Sequence, residues 1–554
     1  MRSSTGLPDT VDVLIVGGGA TGAGLLRDLA RRGLRCLLVD KGDLASGTSG
    51  RYHGLLHSGG RYVATDPLTA RECMAENAVL RRIAPACIED TGGLFVATPD
   101  DPDDYVAAFP GRCAAAGIPC EEVPLAAVFE REPALNRGIR RAFRVPDASL
   151  EPWQLVEANL RDALDRGSSA HAYQQLIGME RNGGFVASVG IADVRSGTIR
   201  RVSPRIIVSA AGAWAGRVAA LAGIDLPMSP GKGTMLVYNQ RMTDTVINRC
   251  KLPSDGDIMV PVHTVAILGT TEVAVDDPDD HDAGPDEVEA LIEEGARLFP
   301  DLPRMRILRA YAGVRPLYAA EAVTGPDDGR AISRSHVVID HERRDGVSNV
   351  VSIVGGKLTT YRLMAEQAAD LVCAKLGFDR PCTTADEVLP DQGPHGAYFW
   401  LGERLAANEA NGGGNADLIC ECEVVSRPLL DAFLDRRLPC SLDDIRRGTR
   451  LGMGPCQGAF CMFRAVGLIA ERGESPAQPG PEPAEATSGD PLVAFLRERF
   501  RGTRPIAWGR QLQELWLSTG IYWGVLGVDA LAVDAVDVVG ARAVNPAGGS
   551  DGPG

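Results

Sequence analysis

The chain has no run approaching the roughly 18 uninterrupted apolar residues that a membrane-spanning helix requires, so membrane contact is expected to be peripheral or through partners. Cysteine is sparse as well. Thirteen in 554 residues are too few for a disulfide scaffold. The first apolar run reads as an internal strand, not as a signal peptide, so the expected setting is a reducing cytoplasm. Net positive charge is missing too. The formal value of -16 disfavours nucleic acid as a partner and leaves open a small anionic substrate, which responds to the local field of its pocket. Lysine is scarcest among the charged residues, with five among 57 basic positions. Two of the five stand in glycine-flanked loops, Gly231-Lys232-Gly233 and Gly355-Gly356-Lys357. There a compact ammonium can approach a ligand or shift its pKa as a guanidinium cannot. Lys251 and Lys375 have no such setting, and there is no internal repeat.

What is present begins with Val11 to Val16, an apolar strand running into Gly17-Gly18-Gly19-Ala20-Thr21-Gly22. Such a turn opens a helix whose free N–H groups and dipole hold a pyrophosphate. Gly17 allows the tight turn, Gly19 the close approach of backbone to phosphate, and Gly22 the packing of helix on strand. A second apolar strand, Cys36 to Val39, delivers Asp40 eighteen residues past Gly22, where an acid holds ribose hydroxyls. This is a dinucleotide site. The small-residue loop that follows, Lys41-Gly42-Asp43-Leu44-Ala45-Ser46-Gly47-Thr48-Ser49-Gly50, suits a flavin better than nicotinamide.

The continuation Arg51-Tyr52-His53-Gly54-Leu55-Leu56-His57-Ser58-Gly59-Gly60-Arg61-Tyr62-Val63 resembles the isoalloxazine-side segment of FAD-dependent glycerol-3-phosphate dehydrogenases. Val208 to Trp214, with Gly212, resembles that family's later strand and glycine turn beside FAD, and Val354 to Arg362 its closing flavin loop. The resemblance implies FAD contacts at Gly17, Gly19, Gly22, Asp40, Lys41, Thr48, Ser49, Gly212, Gly355, Gly356 and Leu358. The family often carries Glu at the ribose position, and Asp40 preserves the chemistry with a shorter reach.

Far downstream, Cys420-x-Cys422 is followed after 33 residues by Cys456-x4-Cys461. Four thiolates suit a [2Fe-2S] cluster and also zinc, although zinc ribbons usually space their pairs Cys-x2-Cys. The spacing resembles the bacterioferritin-associated ferredoxin-like [2Fe-2S] module. Between the pairs, Asp443 to Arg450 supplies guanidinium groups expected near the sulfurs. Arg504-Pro505-Ile506-Ala507-Trp508-Gly509 resembles a C-terminal motif of the anaerobic branch of the dehydrogenase family, whose catalytic chains also carry the cysteine module.

The length suggests two to four domains. The implied fold is α/β: an FAD-binding Rossmann-type domain with an inserted, D-amino-acid-oxidase-like substrate domain, plus a small C-terminal helical [2Fe-2S] domain. Residues 8–385 are expected to form the oxidoreductase, with substrate-domain insertions at about 61–150 and 232–320. A linker at 386–415 leads to the cysteine domain at 416–470. A Pro/Glu/Ser/Gly linker at 471–490 precedes a helical extension at 491–540 and a disordered tail at 541–554. The aromatic residues near Trp516, Tyr522 and Trp523 are expected to pack on their own core or to contact a partner or membrane surface.

The resemblance implies oxidation of sn-glycerol 3-phosphate to dihydroxyacetone phosphate, with FAD as hydride acceptor and electrons leaving through the cluster towards partner subunits and a membrane quinone. Arg315, in Gly313-Val314-Arg315-Pro316-Leu317, matches a phosphate-binding arginine, and a guanidinium fork suits phosphate. Arg61 and Tyr62 match a second substrate pair. His57 and Lys357 are the candidate catalytic residues, His57 as acid/base titrating in the useful range and Lys357 as flavin-side charge. Thr270-Thr271-Glu272 resembles a family strand without an assigned role. Two alternatives stand beside this reading: an FAD-dependent amine or amino-acid dehydrogenase, and a C-terminal zinc-type docking module without electron transfer.

Overall fold

A strand apolar on both faces must be covered on both, and Thr10–Val16 sits accordingly at the centre of an eight-stranded sheet, with Val13, Leu14 and Ile15 fully buried. The computed structural model describes residues 6–318, 335–390, 401–410, 412, 417–437, 440–473 and 491–525. The parallel core of the sheet runs Ser169–His171, Cys36–Val39, Thr10–Val16, Ile199–Ser209, Val350–Gly355. Its register sets Ile15 beside both Leu38 and Val208. The hairpin of Gln174–Asn182 and Phe185–Asp193 and the antiparallel strand His336–Asp340 complete it. Helices Ala20–Arg31, Pro152–Leu164 and Tyr361–Leu376 bury Leu25, Leu26, Leu29, Leu155, Tyr361 and Ala368 in one cluster against one face.

A nine-stranded sheet forms the second layer, where the substrate-domain insertions were expected. Two separate chain intervals build it. Gly93–Ala97, Glu121–Glu122 and Arg141–Val145 come from the first. Gly231–Tyr238, Val246–Arg249, Ile258–Val262, Val265–Gly269, Val273–Ala274 and Ile307–Arg315 come from the second. The parallel pairing of Gly93–Ala97 with Val246–Arg249 joins them. Val288 and Leu291 of helix Pro285–Ala296 cover one face.

Residues 417–525 include a two-stranded ribbon, Leu418–Cys420 with Val425–Ser426, and helices Arg427–Arg437, Leu442–Thr449 and Cys461–Glu471. Helices Pro491–Thr503 and Gly509–Gly524 follow. One apolar cluster takes Leu430, Ile445, Met462 and Ile469 from the cysteine segment and Val493, Phe495, Leu496 and Tyr522 from the later helices. The expected division between cysteine domain and extension is therefore absent at the level of the core. The expected linker at 386–415 also differs, because it contains the helix Leu401–Ala410. Leu, Ala, Glu and Arg favour helix there, and Arg404 donates to the Glu423 carbonyl at 2.8 Å. The linker expected at 471–490 falls mainly outside the described residues, as does the tail expected at 541–554. Of the aromatic patch, Tyr522 is buried and stacks on Phe463 at 5.6 Å, whereas Trp516 is 76% exposed.

Candidate active site and cysteine centre

The glycine turn shapes a cavity of about 510 Å³ lined by Gly17, Gly19, Asp40, Lys41, Thr48, Ser49, Gly212, Gly355, Gly356, Lys357 and Leu358. Gly17 has φ +114°, and a Cβ there would lie 2.4 Å from the Ala210 carbonyl oxygen. A Cβ on Gly22 would lie 1.9 Å from the Gly17 carbonyl oxygen, so helix and strand meet only because both positions are bare. Gly22 supports the turn from behind the cavity. The Asp40 carboxylate accepts from the amides of Gly18 at 2.6 Å and Gly42 at 2.8 Å. Burial raises its pKa while the two amides oppose that rise. Ser49 Oγ accepts from Ala20 N at 3.0 Å, and Thr48 Oγ1 donates to the Val314 carbonyl at 2.6 Å, tying the small-residue loop to the helix start and to the substrate sheet. Lys41 lines this cavity while its ammonium pairs with Asp279 at 3.0 Å and lies 4.5 Å over the Trp214 ring.

A second cavity, about 590 Å³, is lined by His53, His57, Arg61, Tyr62, Glu272 and Arg315 and shares Thr48, Arg51, Tyr52, Pro316, Gly356, Lys357 and Leu358 with the first. The shared wall is where a hydride donor and its acceptor can meet. Lys357 Nζ lies 4.2 Å over the Tyr62 ring, and the His57 and Tyr62 rings are 5.5 Å apart. His57 does not titrate where the sequence suggested. Burial, then the charges of His53, Lys357 and Arg61, hold its pKa well below the ordinary value. The imidazole is therefore neutral at physiological pH, with a lone pair free for a proton, and the same burial and cations make it a weaker base than an ordinary histidine.

Both arginines expected at the substrate, Arg61 and Arg315, are oriented by carboxylates that sequence reasoning did not pick out for that task. Arg61 donates to Asp257 at 2.7 Å. Arg315 pairs with Glu272 at 2.9 Å and donates to Thr270 Oγ1 at 2.5 Å and the Thr271 carbonyl at 2.9 Å. The Thr270-Thr271-Glu272 segment, expected as strand, instead links strands Val265–Gly269 and Val273–Ala274, and holding Arg315 is its structural task. Asp257 had no motif to mark it. Lys232, flagged by its glycine neighbours, pairs with Glu287 at 3.0 Å beneath the same strands.

The structure brings the four cysteines together. Cys420 and Cys456 each bond with both Cys422 and Cys461, and Cys422 and Cys456 sulfurs are 3.9 Å apart. The amides of Glu423 and Gly452 donate to Cys420, and those of Gly458 and Ala459 to Cys456. Amide donors aimed at sulfur favour thiolate, and hydrogen bonds from Cys422 and Cys461 lower the pKa of Cys420 and Cys456 while raising those of the two donors. A Cβ on Gly454 would lie 2.3 Å from Cys422 Cβ, so the turn between the pairs closes only around a glycine. Among the described residues no group has the spacing of a preformed metal-ion site. The 3.9 Å between Cys422 and Cys456 is close to the separation of about 3.8 Å that two thiolates on one tetrahedral metal would have with metal–sulfur bonds of about 2.3 Å, and an all-sulfur donor set with amide support fits an Fe–S cluster or zinc.

The guanidinium groups of 443–450 are not turned to the sulfurs as expected. Arg447 reaches Asp43 of the flavin-side loop at 2.9 Å and Asp444 at 2.7 Å, Asp444 accepts from Tyr173 at 2.5 Å, and Arg450 reaches Glu151 at 2.7 Å. Asp43 and Glu151 on the oxidoreductase half engage Arg447 and Arg450, and so the cysteine module docks beside the dinucleotide loop. Arg464, whose charge is felt with Cys461 and Cys420, and Arg404 and Arg499 stand nearer the sulfurs instead.

A glycine turn and ribose acid on a parallel sheet, with a second sheet holding charged groups over one shared wall, define a flavin-dependent oxidoreductase. The family model described as "FAD dependent oxidoreductase" matches residues 12–371, and the chain belongs to that family. Over 546 residues it is 41% identical to a subunit of the anaerobic glycerol-3-phosphate dehydrogenase of Escherichia coli (strain K12), covering 95% of this chain and 98% of that protein. It is 40% identical to the corresponding subunit from Haloferax volcanii, covering 93% and 91% of the two chains. A glycerol-3-phosphate dehydrogenase from Bacillus halodurans, solved with FAD, shares the fold with a TM-score of 0.60 at 20% identity, covering 92% of this chain and 95% of that one. No helix among the described residues is long and apolar enough to cross a membrane.

Proposed function

We propose that the chain oxidises sn-glycerol 3-phosphate to dihydroxyacetone phosphate and passes the electrons through a [2Fe-2S] cluster on Cys420, Cys422, Cys456 and Cys461, towards partner subunits and a quinone at the inner face of the membrane. The observation that carries the reading is the wall shared by the two cavities, with Lys357 on it and two oriented arginines beyond it. FAD bound along the glycine turn supplies the hydride acceptor. Arg315 and Arg61 bind the phosphate as forks held by Glu272 and Asp257. Tyr62 closes the cavity beside them. Neutral His57 accepts the C2 hydroxyl proton, while Lys357 places positive charge where the shared wall meets the flavin.

The test is the visible spectrum of anaerobic protein before and after adding glycerol 3-phosphate, with iron and sulfide assayed on the same sample. Flavin bleaching with iron and sulfide present is expected. A flavin bleached by amines or amino acids but not by this substrate overturns the substrate class. Zinc in place of iron removes the one-electron exit and leaves a docking module.

A further inference from the structure

Arg450 bonds one carboxylate inside the Cys420–Glu423 turn and another on the oxidoreductase half. Its Nε donates to Glu423 at 2.9 Å and its Nη1 to Glu151 at 2.7 Å. The side chains of Glu423, Glu151 and Arg450 are 1%, 10% and 12% exposed, so Arg450 bonds two shielded anions at once, with the charge of Arg404 nearby. Breaking such a set leaves charge buried without compensation. Glu423 directly follows Cys422 and its amide donates to Cys420.

The other end leads to the flavin side. Leu150, next to Glu151, accepts at its carbonyl from the Tyr52 hydroxyl at 3.1 Å, and Tyr52 lines both the dinucleotide and substrate cavities. Bonded contacts thus run from Tyr52 through Leu150, Glu151, Arg450 and Glu423 to Cys420. The backbone of Arg450 serves the same end. It closes helix Leu442–Thr449 in the left-handed region, with φ +67°, and the turn it begins points the Gly452 amide at Cys420. A branched or long side chain in that conformation is uncommon, and such strain collects where function requires it.

We propose that Arg450 is a positioning residue: it holds the Cys420–Glu423 turn against the flavin half and thereby sets the rate of single-electron transfer from reduced FAD to the cysteine centre. The proposal rests on the reading of the quartet as a [2Fe-2S] cluster. A [2Fe-2S] cluster held by Cys420, Cys422, Cys456 and Cys461 would accept one electron at a time, so a two-electron-reduced flavin would be reoxidised in two successive transfers. Groups that orient ligands from outside the ligand set govern a metal centre in this way.

The test uses full-length holoenzyme under anaerobic conditions, with glycerol 3-phosphate mixed rapidly and flavin bleaching and cluster reduction followed separately. Arg450→Gly removes the side chain and suits the left-handed backbone. Arg450→Lys keeps the charge but not the fork. In Arg450→Gly, flavin bleaching is expected to keep its wild-type rate and cluster reduction to slow by at least about tenfold, or about 1.4 kcal/mol, with Arg450→Lys recovering part of the loss. Cluster reduction at the wild-type rate, or equal slowing of flavin bleaching, overturns the proposal. Hydrogen exchange across residues 418–426 in metal-free protein reads the positioning independently. Faster exchange in Arg450→Gly is expected, and unchanged exchange overturns it. Wild-type protein without iron and sulfide would refute the cluster reading first, and the exchange result would then still decide whether Arg450 holds the turn.

Discussion

Asp257, whose side chain is wholly shielded from solvent, lies 2.7 Å from the guanidinium of Arg61, 196 residues away in the chain. The cation thus arrives at the substrate cavity on a fixed support, and removing that support strands it. Asp257→Ala is expected to lower stability by about 3–5 kcal/mol, the usual result of breaking a buried pair from one side. Asp257→Asn, which keeps a hydrogen-bond acceptor, is expected to cost less. Denaturant midpoints of the two variants check the order.

Gly22→Ala places a methyl group 1.9 Å from the Gly17 carbonyl oxygen. The turn must open to admit it, and the pyrophosphate seat opens with it. The purified variant is expected to carry little or no FAD, read from the flavin-to-protein absorbance ratio. A fully yellow variant would show that this turn does not hold the dinucleotide.

His57→Ala is expected to slow flavin reduction by glycerol 3-phosphate by about 10²–10⁴-fold, the range for loss of a general base. Lys357→Met is expected to slow it as well, with FAD still bound. Stopped-flow bleaching of both variants decides. Normal reduction in both would move the chemistry to other residues of the cavity.

Burial and neighbouring arginines lower the pKa of His53 to about 3 and of His263 to about 2. Both values lie below the ordinary value near 6.5, so the unfolded chain binds more protons than the folded one as pH falls beneath that point. Their contribution to stability is full above about pH 6.5 and is lost on acidification, at about 1.4 kcal/mol per pH unit for each histidine. Wild-type stability is expected to fall more steeply between pH 6.5 and about 5 than that of His263→Asn. Equal slopes would mean that His263 is solvated or charged in the native state.

Cys456→Ser is expected to abolish iron and sulfide binding while substrate-driven flavin bleaching persists, because the linings of the two cavities contain no cysteine. Metal analysis and anaerobic spectra of the one variant give both results.

The flavoprotein fold was legible because its signals are local. A doubly buried strand, three glycines and a terminal acid lie within residues 11–40, and close packing permits few other arrangements of them. The charged residues that aim the site were not legible. Asp257 and Glu272 act on Arg61 and Arg315 across strand pairings, which leave no pattern in the neighbouring sequence. Arg447 and Arg450 were noticed for their charge, but their partners Asp43 and Glu151 lie about 300 to 400 residues upstream, so the direction they face could not be read. The shared core of residues 430–522 was obscured by the Pro- and Gly-rich segment within it, which suggested a boundary.

The sheet that roofs the substrate cavity also sets a schedule for synthesis. Gly93 pairs with Val246, and at a translation rate of about 5–20 residues per second the earlier strand waits roughly 8–30 s for its neighbour to be made. Throughout that interval Gly93–Ala97 offers one unpaired edge, a five-residue strand buried in the finished protein along its whole length. An edge of that kind invites pairing with other chains. The two-interval construction of the cavity therefore ties the completion of this sheet to the moment the ribosome has made residue 249.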